Sequence, residues 1–315
     1  MTTLLVAATG GHLSELHHLL PRLDVGERCW ATFDSPQSRS LLEGEDVVFV
    51  PPAESRELVG TFRQYLVARG LVRRHRFARV ISTGSAIAVA FFVPATASGI
   101  ECLYIESATR TSGPSLTGRL VSRLPRTRLY TQHASWAGGR WCYGGSIFDA
   151  FLAAPRPRPR PVRRVVVTLG QQPKYAFPRL LHRLVEIIPP AVDVLWQVGD
   201  TRIDPMPPGA RRDVPPAELD QAMRAADVVV AHAGVGSALG AMRAGQRAIC
   251  VPRRQSHHEQ IDDHQVELAA ELDGRGLVFA READSVGAQD LDLAAAWSVV
   301  PDAHTPPFRF LPPSA

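Results

Sequence analysis

Lysine is almost missing from this chain: of 35 lysines and arginines in 315 residues, Lys174 is the only lysine. Biased codon usage alone can produce that, so this absence excludes no function. Cysteine is scarce as well. Cys29, Cys102, Cys142 and Cys250 stand far apart with no CxxC pair, which excludes a zinc clasp or thiol-exchange motif of that kind and fits a reducing compartment. No basic segment leads into an apolar run at Met1-Thr2-Thr3-Leu4-Leu5-Val6, so a secretory signal is not expected and a cytoplasmic location is. The most apolar stretch, Ala86 to Ala97, contains Pro94 and falls short of the ~20 residues that a spanning helix needs. It reads as a buried helix. Basic stretches interleaved with aromatics and groove-reading motifs are both lacking, so nucleic acid is not an expected partner.

What is present suggests two α/β domains, since 315 residues with 45% apolar content exceed one small core. The net charge of +4 hides a polarity. Residues 1–164 hold 21 basic and 12 acidic side chains, whereas residues 165–315 hold 14 and 19. The basic half, with clusters at Arg69, Arg73, Arg74, Arg76 and at Arg119, Arg123, Arg126, Arg128, suits an anionic phospholipid surface. The run Ala154-Pro155-Arg156-Pro157-Arg158-Pro159-Arg160-Pro161 favours extended polyproline II and reads as a stiff connector. The expected division is a domain over 1–153, a linker over 154–164 and a domain over 165–315. The tail from about residue 281 carries no recognisable motif.

Each half opens with a β-branched or aliphatic run, a glycine turn and a helical pattern: Leu4 to Ala8 before Gly10-Gly11, and Val165 to Leu169 before Gly170. Further strands are predicted at Val47–Val50, Arg79–Ser82, Cys102–Ile105, Val192–Gln197, Val228–Ala231 and Ala248–Val251. Alternating βα units of this kind make parallel sheets that bind ligands beyond the carboxyl ends of their strands. In Thr9-Gly10-Gly11-His12-Leu13-Ser14-Glu15 the glycines admit a close ligand, and His12 is placed to take a proton near neutral pH. Glu15 is the competing base, or else orients the imidazole.

The segment His232-Ala233-Gly234-Val235-Gly236-Ser237 follows the strand ending at Ala231. Helix amides and the Ser237 hydroxyl there can hold a diphosphate without a lysine. A rival reading is a dinucleotide fingerprint from Gly234, Gly236 and Gly240 with Arg253-Arg254 as a 2′-phosphate reader, but such fingerprints follow the first strand of their unit. The run Val251 to Gln265 is dense in hydrogen-bonding side chains suited to sugar and ribose hydroxyls. A zinc-protease reading fails there, because His258-Glu259 is followed by Asp262 where a second histidine belongs.

These motifs are similar to a known family. VTLG at 167–170, HAGVGS at 232–237 and VPRRQSHHEQIDDHQVELA at 251–269 resemble the donor domain of MurG-like glycosyltransferases, and above all the small catalytic subunits of two-subunit enzymes. ATGGHLSEL at 8–16, ATFDSPQSRSLL at 31–42, VISTGSAIAVAFF at 80–92, YIESATRTSGPSLTGRL at 104–120 and YGGSIFD at 143–149 resemble their membrane-recruiting partner subunits. Such enzymes act in bacterial capsule and exopolysaccharide assembly and in dolichol-linked oligosaccharide synthesis. The resemblance therefore implies a fusion of two subunits, built as two Rossmann-like domains facing across a cleft (GT-B).

It also implies an inverting transfer from a UDP-sugar to a lipid-linked saccharide, at a cytoplasmic membrane face and without cofactor or metal, since no DxD-type acidic pair precedes a predicted strand end. The implied donor-binding residues are Gly170, Gln171, Gln197, His232, Ala233, Gly234, Val235, Gly236, Ser237, Arg253, Glu259, Asp263 and Gln265. On the acceptor side stand Gly10, Gly11, Glu106, Ser107 and Arg110, with His12 and Glu15 catalytic. Two departures stand out. Gly240 replaces the ribose-binding glutamate of the family, moving that role to Glu259 or Asp263, and no counterpart of the eukaryotic partner subunit's amino-terminal membrane helix is expected, so membrane contact is expected to be peripheral. The competing readings are a UDP-sugar 2-epimerase, a non-catalytic scaffold subunit and a dinucleotide-dependent reductase.

Overall fold

The computed structural model describes residues 2–53, 57–158, 161–170 and 175–310. The chain forms two compact units: Met1–Phe148 with Pro306–Ala315, and Asp149–Thr305.

The first unit begins with β1 (Thr2–Val6), α1 (Gly11–Leu19), β2 (Arg28–Phe33), α2 (Pro36–Leu41), β3 (Val47–Val50) and α3 (Leu58–Arg74). It continues with β4 (Phe77–Ser82), α4 (Ala86–Ala97), β5 (Glu101–Ile105), α5 (Leu116–Val121), β6 (Thr127–Thr131) and β7 (Trp141–Tyr143). The sheet order is β3-β2-β1-β4-β5-β6-β7, parallel throughout. Leu4, Val6, Val80, Cys102 and Tyr104 carry its core against Ile87, Phe91 and Phe92 of α4. That helix is apolar on nearly every side because it packs against both α3 and α5, as expected from the sequence. Ser35 starts α2 by accepting from the Ser38 amide, and Ser38 Oγ in turn accepts from the Ser35 amide, a reciprocal cap that satisfies two end donors.

The second unit contains β8 (Phe151–Pro155), β9 (Arg164–Thr168), α6 (Pro178–Ile187), β10 (Asp193–Gln197), α7 (Pro216–Ala225) and β11 (Val228–His232). After these come α8 (Val235–Arg243), β12 (Ile249–Val251), α9 (His264–Gly274), β13 (Phe279–Ala280), α10 (Ala288–Ala295) and β14 (Trp297–Pro301). Its parallel sheet runs β10-β9-β11-β12-β13, and β8 pairs antiparallel with β14 as a separate ribbon.

Two boundaries differ from the sequence reading. Ala154 and Pro155 are paired strand residues, not the start of a connector, because Ser298 and Trp297 of the tail lie opposite them. The tail after residue 281 supplies α10 and β14 to the second unit, and then residues 306–310 return to the first. There the Phe308 amide donates to the Arg22 carbonyl and the Arg309 amide to that of Gly144. Among the described residues no helix is long and apolar enough to cross a membrane.

Candidate functional site

In the first sheet the strand order reverses between β1 and β4, and at such a switch point the loops beyond the strands part to admit a ligand. His12, the second residue of α1, follows β1, while Thr83 and Gly84 follow β4. The His12 Nδ1 lies 3.0 Å from the Thr83 carbonyl oxygen, and Thr83 Oγ1 donates back to the His12 carbonyl at 2.8 Å. A carbonyl only accepts, so Nδ1 carries the hydrogen and Nε2 keeps its lone pair. Gly84, at φ +125°, makes room for the ring: a Cβ there would stand 2.9 Å from His12 Cε1. Burial holds the His12 pKa below its ordinary value of 6.5; the Thr83 hydrogen bond opposes that shift and the positive charge of Arg110 adds to it.

The glycine turn itself is braced from within. Gln37 Oε1 accepts from the Gly10 amide at 2.6 Å, and its Nε2 donates to the Gly10 carbonyl and to Ser14 Oγ. The Gly10 amide, expected to meet the acceptor, is thereby occupied, and Gly11 begins α1. Glu15 also departs from expectation. Its carboxyl is fully buried and filled by Ser107 Oγ at 2.6 Å, the Ala108 amide at 3.1 Å and Gln132 Nε2 at 3.3 Å. It therefore ties α1 to the loops after β5 and β6. Burial raises its pKa to about 7 against the pull of those donors.

Glu106 is similarly enclosed, accepting from the Ser115 amide and hydroxyl, the Ser107 amide and the Tyr104 hydroxyl, with its pKa raised by burial. Glu106 and Ser107, expected at the acceptor, are thus the struts of the β5 loop. Arg110, whose charge reaches His12, is the partly exposed side chain of that set.

The second unit repeats the arrangement. Its sheet reverses order between β9 and β11, where Gly170 follows one strand and His232 ends the other. A Cβ on Gly170 (φ +78°) would lie 2.6 Å from His232 Cε1, and one on Gly234 2.3 Å from its Nε2. His232 Nδ1 is 3.4 Å from the Thr168 carbonyl and 3.3 Å from Ser237 Oγ. Burial, reinforced by the charge of Arg253, drives its pKa down to about 3, so the ring is a neutral wedge. Gly234 starts α8 with no side-chain cap, leaving the amides of Val235, Gly236 and Ser237 for an anion. Ala233 and Val235 are buried and offer only backbone, whereas Gly236 is exposed with open space where a Cβ would be. Gln171 lies outside the described residues.

In the loop after β12 the expected hydroxyl readers are divided. Glu259 is buried in a fork with Arg179 Nε and Nη2, both at 3.1 Å, and also accepts from the Arg254 amide. Its carboxylate is committed to the fold. Gln265 is buried with its Oε1 on the Arg253 amide, and Gln197 accepts from Thr168 Oγ1. Asp263 is exposed, one oxygen accepting from the Gln255 amide. Arg253 is buried, with Nη2 donating to the Leu169 carbonyl at 2.6 Å. Among the described residues no group of three or more His, Cys, Asp and Glu side chains is placed to hold a metal ion. The sequence reading missed Gln37, Thr83, Gly84, Gln132 and Arg179. Of these only Gly84 left a local signal, a glycine two residues beyond a strand.

Comparison with known proteins bears on the family and the fold. Residues 216–290 match the glycosyltransferase family 28 C-terminal domain. A curated relative from Wolinella succinogenes, the UDP-N-acetylglucosamine--N-acetylmuramyl-(pentapeptide) pyrophosphoryl-undecaprenol N-acetylglucosamine transferase, is 26% identical over 267 residues, covering 78% of this chain and 77% of the relative. Among solved structures, MurG of Acinetobacter baumannii aligns with a TM-score of 0.56 at 15% identity, covering 93% of this chain and 89% of its own. The UDP-GlcNAc 2-epimerase of Methanocaldococcus jannaschii aligns at 0.52 and 10% identity, covering 93% and 91%. At such identities the structural likeness establishes the fold, two Rossmann-like domains of the GT-B type.

Proposed function

We propose that this chain, which is similar to MurG-like glycosyltransferases and shares their GT-B architecture, moves a hexose-type sugar from a UDP-sugar to a lipid-(pyro)phosphate-linked saccharide, with inversion. The observation that carries this reading is His12, a histidine at a strand-order reversal with one nitrogen held by Thr83 and the other left basic. The acceptor hydroxyl oxygen forms its bond to the anomeric carbon while its proton passes to His12 Nε2. The bond from that carbon to the diphosphate breaks on the opposite face, and UDP leaves. Charge on the leaving group is met by the uncapped amides at the start of α8, fixed dipoles that need no reorganisation. Asp263 takes the ribose hydroxyls, since Glu259 is occupied by Arg179. Arg110 contacts the acceptor's phosphate. The fused-subunit origin and a role in surface polysaccharide or glycolipid synthesis belong to the same proposal.

Docking to the inner face of the cell membrane is part of it too. The support is α3, where Leu58, Val59, Phe62 and Leu66 are exposed beside Arg63, Arg69, Arg73 and Arg74.

The test is turnover of labelled UDP-sugars with and without a polyprenyl-diphosphate-linked saccharide, read as UDP release and as product configuration. Acceptor-dependent transfer with inverted configuration is expected, persisting in a metal chelator. Isomerised UDP-sugar formed without acceptor would instead make the chain an epimerase, and failure to bind UDP would leave a scaffold.

A further inference from the structure

We infer that Arg253 is a buried counter-charge for the donor's diphosphate, its ion pair completed only when the nucleotide is bound. The inference rests on the donor site proposed above and assigns that site a buried cation. Three arginines surround the loop after β12, and two have carboxylate partners: Arg179 with Glu259 and Asp284, and Arg254 with Glu282. Arg253 forms no ion pair among the described residues. The residue is only 1% exposed, with Nη2 on the Leu169 carbonyl and Nε without a hydrogen-bond partner. The Phe177 ring, 5.8 Å away, gives it a π face in place of a carboxylate.

Glu259 acts on Arg253 only at a distance, its carboxylate being held by Arg179, and a buried charge with no carboxylate in contact is costly to a fold. Its position names the use. Leu169 immediately precedes Gly170, and Gly170 packs on His232, so the guanidinium underlies the junction between the β9 turn and the amino end of α8. His232 supplies no positive charge there, being neutral. Burial lowers the Arg253 pKa to about 10, which leaves the guanidinium protonated at neutral pH. Amide dipoles and one desolvated full charge then act together on an anion.

The experiment is calorimetric binding of UDP and of uridine to the full chain and to two variants. Arg253→Gln keeps an N–H for the Leu169 carbonyl but removes the charge, whereas Arg253→Lys keeps the charge. The glutamine variant is expected to bind UDP about tenfold or more weakly, with uridine affinity changed less than about twofold, and the lysine variant to keep the wild-type preference for UDP over uridine. Loss common to both ligands, or an unchanged preference in the glutamine variant, would overturn the inference and make Arg253 architectural. The readout is a ratio, so partial destabilisation, which affects both ligands alike, does not imitate the effect. Wild-type protein that binds neither ligand would sink the donor reading itself, an outcome distinct from loss of the preference alone.

Discussion

His12 owes its chemistry to residues that the glycine turn does not contain. The Thr83 carbonyl fixes the tautomer, Gly84 leaves space for the ring and Arg110 disfavours its protonation. The place of the histidine in the glycine turn after β1 was legible in the sequence because that turn is local. Thr83 and Gly84 were not, since they arrive after β4, some 70 residues further along. Replacing His12 with alanine should lower turnover by ~10²–10⁴-fold, the usual weight of a general base, while UDP binding stays close to wild type. The wild-type rate should fall on the acid side with a midpoint below 6.5, because burial holds the histidine neutral. Arg110→Ala should move that limb to higher pH, since a nearby positive charge opposes protonation of the ring. Glu15 gives a sharper contrast. If it clamps the β5 loop, Glu15→Gln keeps both donor and acceptor capacity towards Ser107, Ala108 and Gln132 and should retain most activity with the same acid limb. Glu15→Ala should not. A dead glutamine variant would return Glu15 to the role of base.

At the scale of elements, β-branched runs followed by glycine announced β1, β9 and β11 with their helices, and the apolar run announced α4. Short or mixed strands such as β7 and β8 went unseen, because their pairing depends on partners elsewhere. The glycines of the α8 turn also divide by what surrounds them, a difference no spacing rule conveys. Gly234 is held by the His232 ring, so Gly234→Ala should cost stability. Gly236 faces open space, so Gly236→Val should leave the melting temperature nearly unchanged yet weaken UDP tenfold or more; unchanged affinity would remove the α8 amides from the donor site. The returning tail offers a second element-scale test. Phe308 is buried, its ring 5.9 Å from that of Tyr130 and tight against Gly144. Phe308→Ala should destabilise the first unit by ~3–5 kcal/mol, read from denaturant unfolding; a loss under ~1 kcal/mol would mean that the tail merely rests on the surface.

Over the whole molecule, the proline-arginine run drew the eye to a boundary near residue 154, yet the units divide after Phe148 because β8 pairs with a strand more than 140 residues later. Local composition cannot reveal such a partner. Charge polarity, by contrast, is additive along the chain and was fully visible, and the fold refines it. Arg128 leaves the basic set by pairing with Glu101, while α3 adds an exposed apolar stripe at Leu58, Val59, Phe62 and Leu66 beside its arginines. No acidic residue interrupts residues 58–76. A surface with both features binds anionic bilayers by two additive terms, roughly 1 kcal/mol for each basic side chain near the leaflet, lost as salt rises, and an apolar term that salt does not weaken. Sedimentation with vesicles should therefore require anionic lipid at moderate ionic strength. Arg73→Glu with Arg74→Glu should reverse the electrostatic part, and Phe62→Ser should lower the binding that survives high salt, each leaving UDP affinity intact. Equal binding to neutral and anionic vesicles would make the apolar stripe dominant over the arginines, and no binding to either would point to an acceptor met in solution.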